Sequence, residues 1–189
     1  MKKLPKHAQQ VDKFLSKFKG LKVGIFVDNS NLYYSQKNAG WKVDLERLKK
    51  LFGRYFKIQF YNFYIAVPKK SDVDYLSTIK FINQIKKYAS VKTKPVKYIR
   101  TAVGYTRKGD VDVEIVLDIV RSINKLDVII LVSGDSDYLE LKNWVVKENK
   151  KQIIFAAFEG NIAWELRQCW HIYLNRIRKE IELKNKPRV

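Results

Sequence analysis

The sequence predicts a doubly wound α/β domain built on a mainly parallel sheet. Two features carry that expectation. Short apolar runs rich in β-branched residues, such as Leu21–Val27 and Asp127–Val132, read as strands buried on both faces. These runs alternate with helical stretches along the chain, the pattern of strand–helix–strand units rather than of hairpins. The length of 189 residues suits one well-buried domain and is short for two.

Taken in order, the first 20 residues form a basic extension with Val11, Phe14, Leu15 and Phe18 at helical spacing, so an amphipathic helix is expected before Gly20. Leu21–Val27 is the first strand, ending in Asp28-Asn29-Ser30-Asn31. A helix is expected from Asp44, as N-cap, to about Tyr55, and Phe56–Ala66 reads as the next strand. Ser71-Asp72-Val73-Asp74 has the spacing of a capping box for a helix to about Tyr88. Val91–Ile99, interrupted by Pro95, reads as a strand near the sheet edge, and Arg100–Lys108 as a basic turn or hairpin.

A helix is then expected from Gly109-Asp110 to about Asn124, apolar nearly all round and hence deeply packed. After the central strand comes Ser133-Gly134-Asp135-Ser136-Asp137, with two carboxylates one residue apart, and then a helix with Tyr138, Leu141, Trp144 and Val145 on one face. Lys151–Phe158 is a further strand, Asn161 a cap for a short helix through Arg167, and Trp170–Tyr173 a last short strand. The extension 1–20, the domain 21–173 and a basic helical end 174–189 make up the expected organisation.

The net charge is +19, from 38 Lys and Arg against 19 Asp and Glu. Charge of that size points to a polyanion, nucleic acid above all, or to a surface kept basic throughout. No run approaches the roughly 20 apolar residues of a membrane span. Met1-Lys2-Lys3 has the charged start of a signal peptide, but His7, Gln9, Gln10 and Asp12 interrupt any apolar stretch after it. Cys169 is the single cysteine, so no internal disulfide can form, and a reducing cytoplasm fits.

Charge is also unevenly distributed. Tyr75–Gly109 has nine Lys or Arg and no acid, whereas Asp110–Glu140 has eight acids against Arg121 and Lys125. Open α/β sheets bind ligands at the carboxyl ends of their strands. Asp28 and Asp135 follow strands at that edge, and Asp112 joins them if the helix it opens starts beside them. Gathered carboxylates repel unless a cation joins them, and an oxygen-only set suits Mg²⁺ or Mn²⁺. Each acid also has a structural reading. Asp110 can be an N-cap, Asp137 with Glu140 a capping box, Asp118 a partner of Arg121, and Glu114 a solvated face residue. Asn31 can contact substrate or brace its turn. Tyr33, Tyr34, Trp41 and Tyr61 can stack on bases or belong to the core.

IFVDNSNLYY at 25–34, KGDVDVEIVLDIV at 108–120 and LVSGDSDYLEL at 131–141 resemble the NYN domain family, LabA-like relatives of the PIN-domain nucleases. The resemblance implies a PIN-like three-layer α/β/α sandwich and Mg²⁺- or Mn²⁺-dependent cleavage of RNA. It carries the metal and catalytic roles to Asp28, Asp112, Asp135 and Asp137. The family commonly reads Lys-Gly-Val-Asp, and Lys108-Gly109-Asp110-Val111-Asp112 is one residue longer. Asp112 keeps the downstream register, and Asp110 is the alternative.

The expected function is therefore a metal-dependent ribonuclease, with Arg107 and Lys108 on the phosphate of single-stranded RNA, in the cytoplasm and in a possible homodimer. An RNA-binding module with this fold and little activity is the alternative. A haloacid-dehalogenase-type phosphatase ranks last, because it needs a second Asp where Ser30 stands.

Overall fold

The computed structural model describes residues 6–184. Its main sheet has six strands, all paired in parallel: β1 (Lys22–Asp28), β2 (Lys57–Val67), β3 (Ser90–Pro95), β6 (Val128–Val132), β7 (Gln152–Ala157) and β8 (His171–Tyr173). The spatial order is β3-β2-β1-β6-β7-β8. The chain thus builds outward from β1 on one side, returns past it, and builds outward from β6 on the other. A separate antiparallel ribbon joins β4 (Lys97–Thr101) to β5 (Gly104–Lys108).

Side-chain alternation along the strands divides the core into two layers. Val23, Ile25, Val27, Val128, Ile130 and Val132 face α1 (Lys6–Ser16), α2 (Asn29–Ala39), α3 (Leu45–Gly53) and α4 (Tyr75–Ile85). Phe26, Ile129 and Leu131 face α5 (Asp112–Ser122) and α6 (Leu139–Asn143). That is the expected three-layer α/β/α sandwich. Helix α1 brings Val11 and Leu15 into the first layer, so the basic extension is packed onto the domain. Near the carboxyl end, Leu174–Ile177 is a 3-10 turn and α7 spans Arg178–Ile181. The expected terminal helix is cut short, because Glu182 has extended backbone and bridges Val43; residues 185–189 lie outside the described residues.

Several expectations are corrected. Pro95 ends β3, since proline offers no N–H to continue a ladder. The chain then leaves the sheet, and Lys97–Thr101 enters the ribbon. At the start of α4, Asp74 has helical backbone angles and makes no capping bond. Its carboxylate pairs instead with Arg107, Oδ2 to Nη1 at 2.8 Å. Helix α5 begins at Asp112 rather than Gly109, with Val111 at the N-cap position. Asp110 is not the cap and lies 3.4 Å from Lys108. Nor is α5 deeply packed all round: Val113 and Leu117 are exposed, because an outer-layer helix has only one face on the sheet. Glu114 is not merely solvated, since it pairs with Lys94 at 2.9 Å. A single π turn, Trp144–Glu148, ends the α6 helix. Residues Trp164–Gln168 form a 3-10 turn after Ala163, with no side-chain cap from Asn161.

Candidate functional site

Strand order reverses between β1 and β6, and there the connections leave in opposite directions, opening a crevice at the carboxyl ends of the two strands. The sequence puts an acidic turn on each lip. Asp28 ends β1 as the N-cap of α2, accepting from Ser30 N at 3.0 Å and Asn31 N at 3.2 Å. It also accepts from Ser30 Oγ at 2.6 Å, and its other oxygen accepts from Ser133 Oγ at 3.2 Å. Asp28 is 1% exposed, a buried carboxylate satisfied by hydroxyl and amide donors alone.

The second lip is laced to the first. Gly134 N donates to Asn31 Oδ1 at 3.0 Å, and Asp135 N donates to Ser133 Oγ at 3.3 Å. Asn31 is therefore a brace between the two turns, one of the roles expected for it. Gly134 is required by close approach: a Cβ there would lie 2.0 Å from Asn161 O, and Gly134 O accepts from Ala163 N at 2.9 Å. Asp135 accepts from Asp137 N at 3.1 Å, so Asp135 caps the turn into α6. The capping box expected from Asp137 and Glu140 is thus corrected, and Glu140 instead accepts from Asn143 at 3.3 Å. Asp137 is exposed beside Asp135.

Asp112 opens α5 from the layer behind β1 and β6. Tyr138 Oη donates to Asp112 Oδ1 at 2.7 Å, tying that helix to the β6 turn. Burial raises the pKa of Asp112, the Tyr138 bond opposes it, and the charges of Asp28, Asp135 and Asp110 raise it further. The three acids from separate segments therefore share one electrostatic neighbourhood. Burial, then the charge of Asp28 and the bond to Asp112, push the Tyr138 phenol far above its ordinary range, so it stays a neutral donor.

This donor set is all oxygen, which is the chemistry a hard divalent cation takes. It is not drawn tight. Among the described residues, no three His, Cys, Asp or Glu side chains are grouped closely enough to hold an ion. Asp28, Asp112 and Asp135 each give an oxygen to a protein donor. The expected phosphate ligands are also engaged: Arg107 pairs with Asp72 and Asp74 at 2.9 and 2.8 Å, and Lys108 with Asp110. On α2, Tyr33 and Tyr34 are exposed, whereas Trp41 and Tyr61 belong to the core. A cleft of about 490 Å³ lies elsewhere, lined by Lys49, Lys92, Asp118, Arg121 and Lys125 but by none of these acids.

The profile of the NYN domain matches residues 22–175. The chain belongs to the NYN domain family. That family comprises nuclease-like, RNA-related domains. The chain is 29% identical over 175 residues to the Low amplitude and bright protein LabA of Synechococcus elongatus, covering 90% of this chain and 92% of that one. It is also similar to a crystal structure of a protein of unknown function from Vibrio parahaemolyticus. That match has a TM-score of 0.72 and 21% identity, and covers 87% of this chain and 97% of the other. At that identity the likeness speaks for the fold.

Sequence reasoning placed Tyr138 on the apolar face of a helix and gave Ser133 no role. Ser133 links Asp28 to the Asp135 turn, and Tyr138 holds Asp112. A tyrosine directly after two acids, once buried, needs a partner for its hydroxyl, and that was the available signal. No helix among the described residues is long and apolar enough to cross a membrane.

Proposed function

We infer that this NYN domain is a metal-dependent ribonuclease hydrolysing RNA phosphodiester bonds. The observation that carries the reading is that Asp28, Asp112 and Asp135, from three separate segments, border the β1/β6 crevice, with Asp28 and Asp135 linked through Ser133 and Asp112 held by Tyr138. Asp28, Asp112 and Asp135 would hold Mg²⁺ or Mn²⁺, with Asp137 as a further ligand or a brace. The ion, when bound, supplies a water of lowered pKa and a counter-charge for the phosphate.

The chain's own residues position this chemistry. The Asn31–Gly134 and Ser133–Asp28 bonds hold the two lips in register. Tyr138 orients the Asp112 carboxylate and keeps a proton on Oη while doing so. The crevice is an open sheet edge rather than an enclosed pocket, which suits a polymer. Tyr33 and Tyr34, exposed on the helix that Asp28 caps, can stack on unpaired bases. The net charge of +19 supplies a general attraction to the strand.

A second reading is a nuclease fold that binds RNA without cutting it. The engagement of each carboxylate by protein donors favours it. Incubating the protein with labelled single-stranded RNA, with Mn²⁺ or with chelator, decides between them. Cleavage that needs Mn²⁺ and is lost in Asp135→Asn is expected. Binding without cleavage under every condition leaves the second reading.

A further inference from the structure

The β4–β5 ribbon is an exposed element that this site does not yet use. Every residue of β5 is exposed, and so is most of β4. An isolated pair of strands with no core beneath is marginal in water, so this one has to be held from outside. It is held at its base. Val96 N donates at 2.9 Å to the O of Val67, the last residue of β2. Gly109 packs so tightly on Ala66 that a Cβ would lie 2.6 Å from the Ala66 Cβ. Tyr98 Oη bonds Asp72 and accepts from Lys69 N, while Arg107 pairs with Asp72 and Asp74. The ribbon therefore rises from the carboxyl end of β2, the strand beside Asp28, and its outgoing strand leads through Gly109 into Asp112.

Register fixes what its two faces carry. Tyr98 opposes Arg107 and Arg100 opposes Tyr105, so these four share one face. The inner pair is consumed by the anchor. The outer pair, Arg100 and Tyr105, stands clear of it, with Tyr105 71% exposed. No acid lies on either strand, although Lys97, Arg100, Arg107 and Lys108 do. A phenol ring beside a guanidinium, on an acid-free arm at the edge of the site, has the chemistry to stack an unpaired base and hold the adjoining phosphate.

We propose that Arg100 and Tyr105 form a stacking platform that grips single-stranded RNA beside the acidic crevice. This rests on the ribonuclease reading, since it assigns a grip on the substrate of that site. Arg107, the phosphate ligand expected from sequence, is instead the anchor of the arm.

The test uses the full chain carrying Asp135→Asn, so that RNA is not consumed, and measures fluorescence anisotropy with a short unstructured RNA. Tyr105→Ala should weaken binding about 5- to 150-fold, the range for losing one base–aromatic stack. Tyr105→Phe should bind like the parent. Against a strand with abasic sugars, Tyr105→Ala and the parent should bind alike. Arg100→Ala should lower the slope of log affinity against log salt by about one. Because these side chains are exposed, thermal melts should coincide with the parent. Unchanged RNA affinity in Tyr105→Ala overturns the platform, and so does equal weakening on normal and abasic strands. A change of oligomeric state in Tyr105→Ala with RNA affinity intact would make the face a protein interface and overturns it too. If the parent itself binds no RNA, it is the ribonuclease reading that has failed.

Discussion

Asp28 separates a cation ligand from a helix cap, because two substitutions there remove different things. In Asp28→Ala the cap of α2 is lost, at about 0.5–2 kcal/mol. The buried Ser133 hydroxyl loses its acceptor as well, which adds about 1–3 kcal/mol. Together the alanine variant should lose about 1.5–5 kcal/mol. Asp28→Asn behaves otherwise. Its Oδ1 keeps all three donors that Asp28 Oδ1 now serves, Ser30 N, Ser30 Oγ and Asn31 N. Its Nδ2 can donate to Ser133 Oγ. Weaker uncharged bonds are offset by removing a buried charge that bears on Asp112. The Ser133 proton still loses its acceptor, so the variant should lose about 1–3 kcal/mol, less than the alanine variant.

A cation ligand supplies several kcal/mol of transition-state stabilisation, and each 1.36 kcal/mol is tenfold in rate. Asp28→Asn should therefore cut RNA cleavage by about a hundredfold or more while remaining folded. Urea unfolding in chelator and in Mn²⁺, beside cleavage rates, reads both effects. The gain in stability from Mn²⁺ should shrink in the variant, since that gain follows affinity for the folded state. If Asp28→Asn keeps the full Mn²⁺ shift and cleaves like wild type, Asp28 is a cap and nothing more.

Three other outcomes are expected. Gly134→Ala should destabilise by about 1–3 kcal/mol or more, because the Asn161 carbonyl it meets is backbone and cannot rotate away; a denaturation midpoint equal to wild type refutes the close approach. Asp112→Asn should raise the stability of the metal-free protein at neutral pH. The folded pKa of Asp112 lies above its ordinary 3.8, so its favourable contribution exists below that value and is lost as pH rises through the folded pKa. The advantage of the variant should accordingly vanish in acid below 3.8, and midpoints compared in chelator at both pH values check it. Tyr138→Phe removes the bond that lowers the Asp112 pKa, so the acid limb of the cleavage profile should move to higher pH; an unmoved limb means Tyr138 does not set that titration.

The strand–helix alternation, the apolar runs of β1 and β6, and the acids that end them are local patterns, legible because period and turn chemistry are written in consecutive residues. Which turns meet is not local. Asp28 and Asp135 face each other only because the chain returns past β1 to place β6 beside it, a choice made by the packing of both layers. The same holds for competing roles. Asp74 and Asp137 have cap-like spacing, yet Asp74 goes to Arg107 and the cap before Asp137 comes from Asp135, since backbone angles and distant cations decide where a carboxylate turns. Tyr138 reads as an apolar helix residue until α5 brings Asp112 to its hydroxyl. The sequence by itself determined the elements and the oxygen-rich chemistry at their ends. The tertiary structure decided which of those ends share one edge, because strand order and long-range hydrogen bonds depend on segments far apart in the chain.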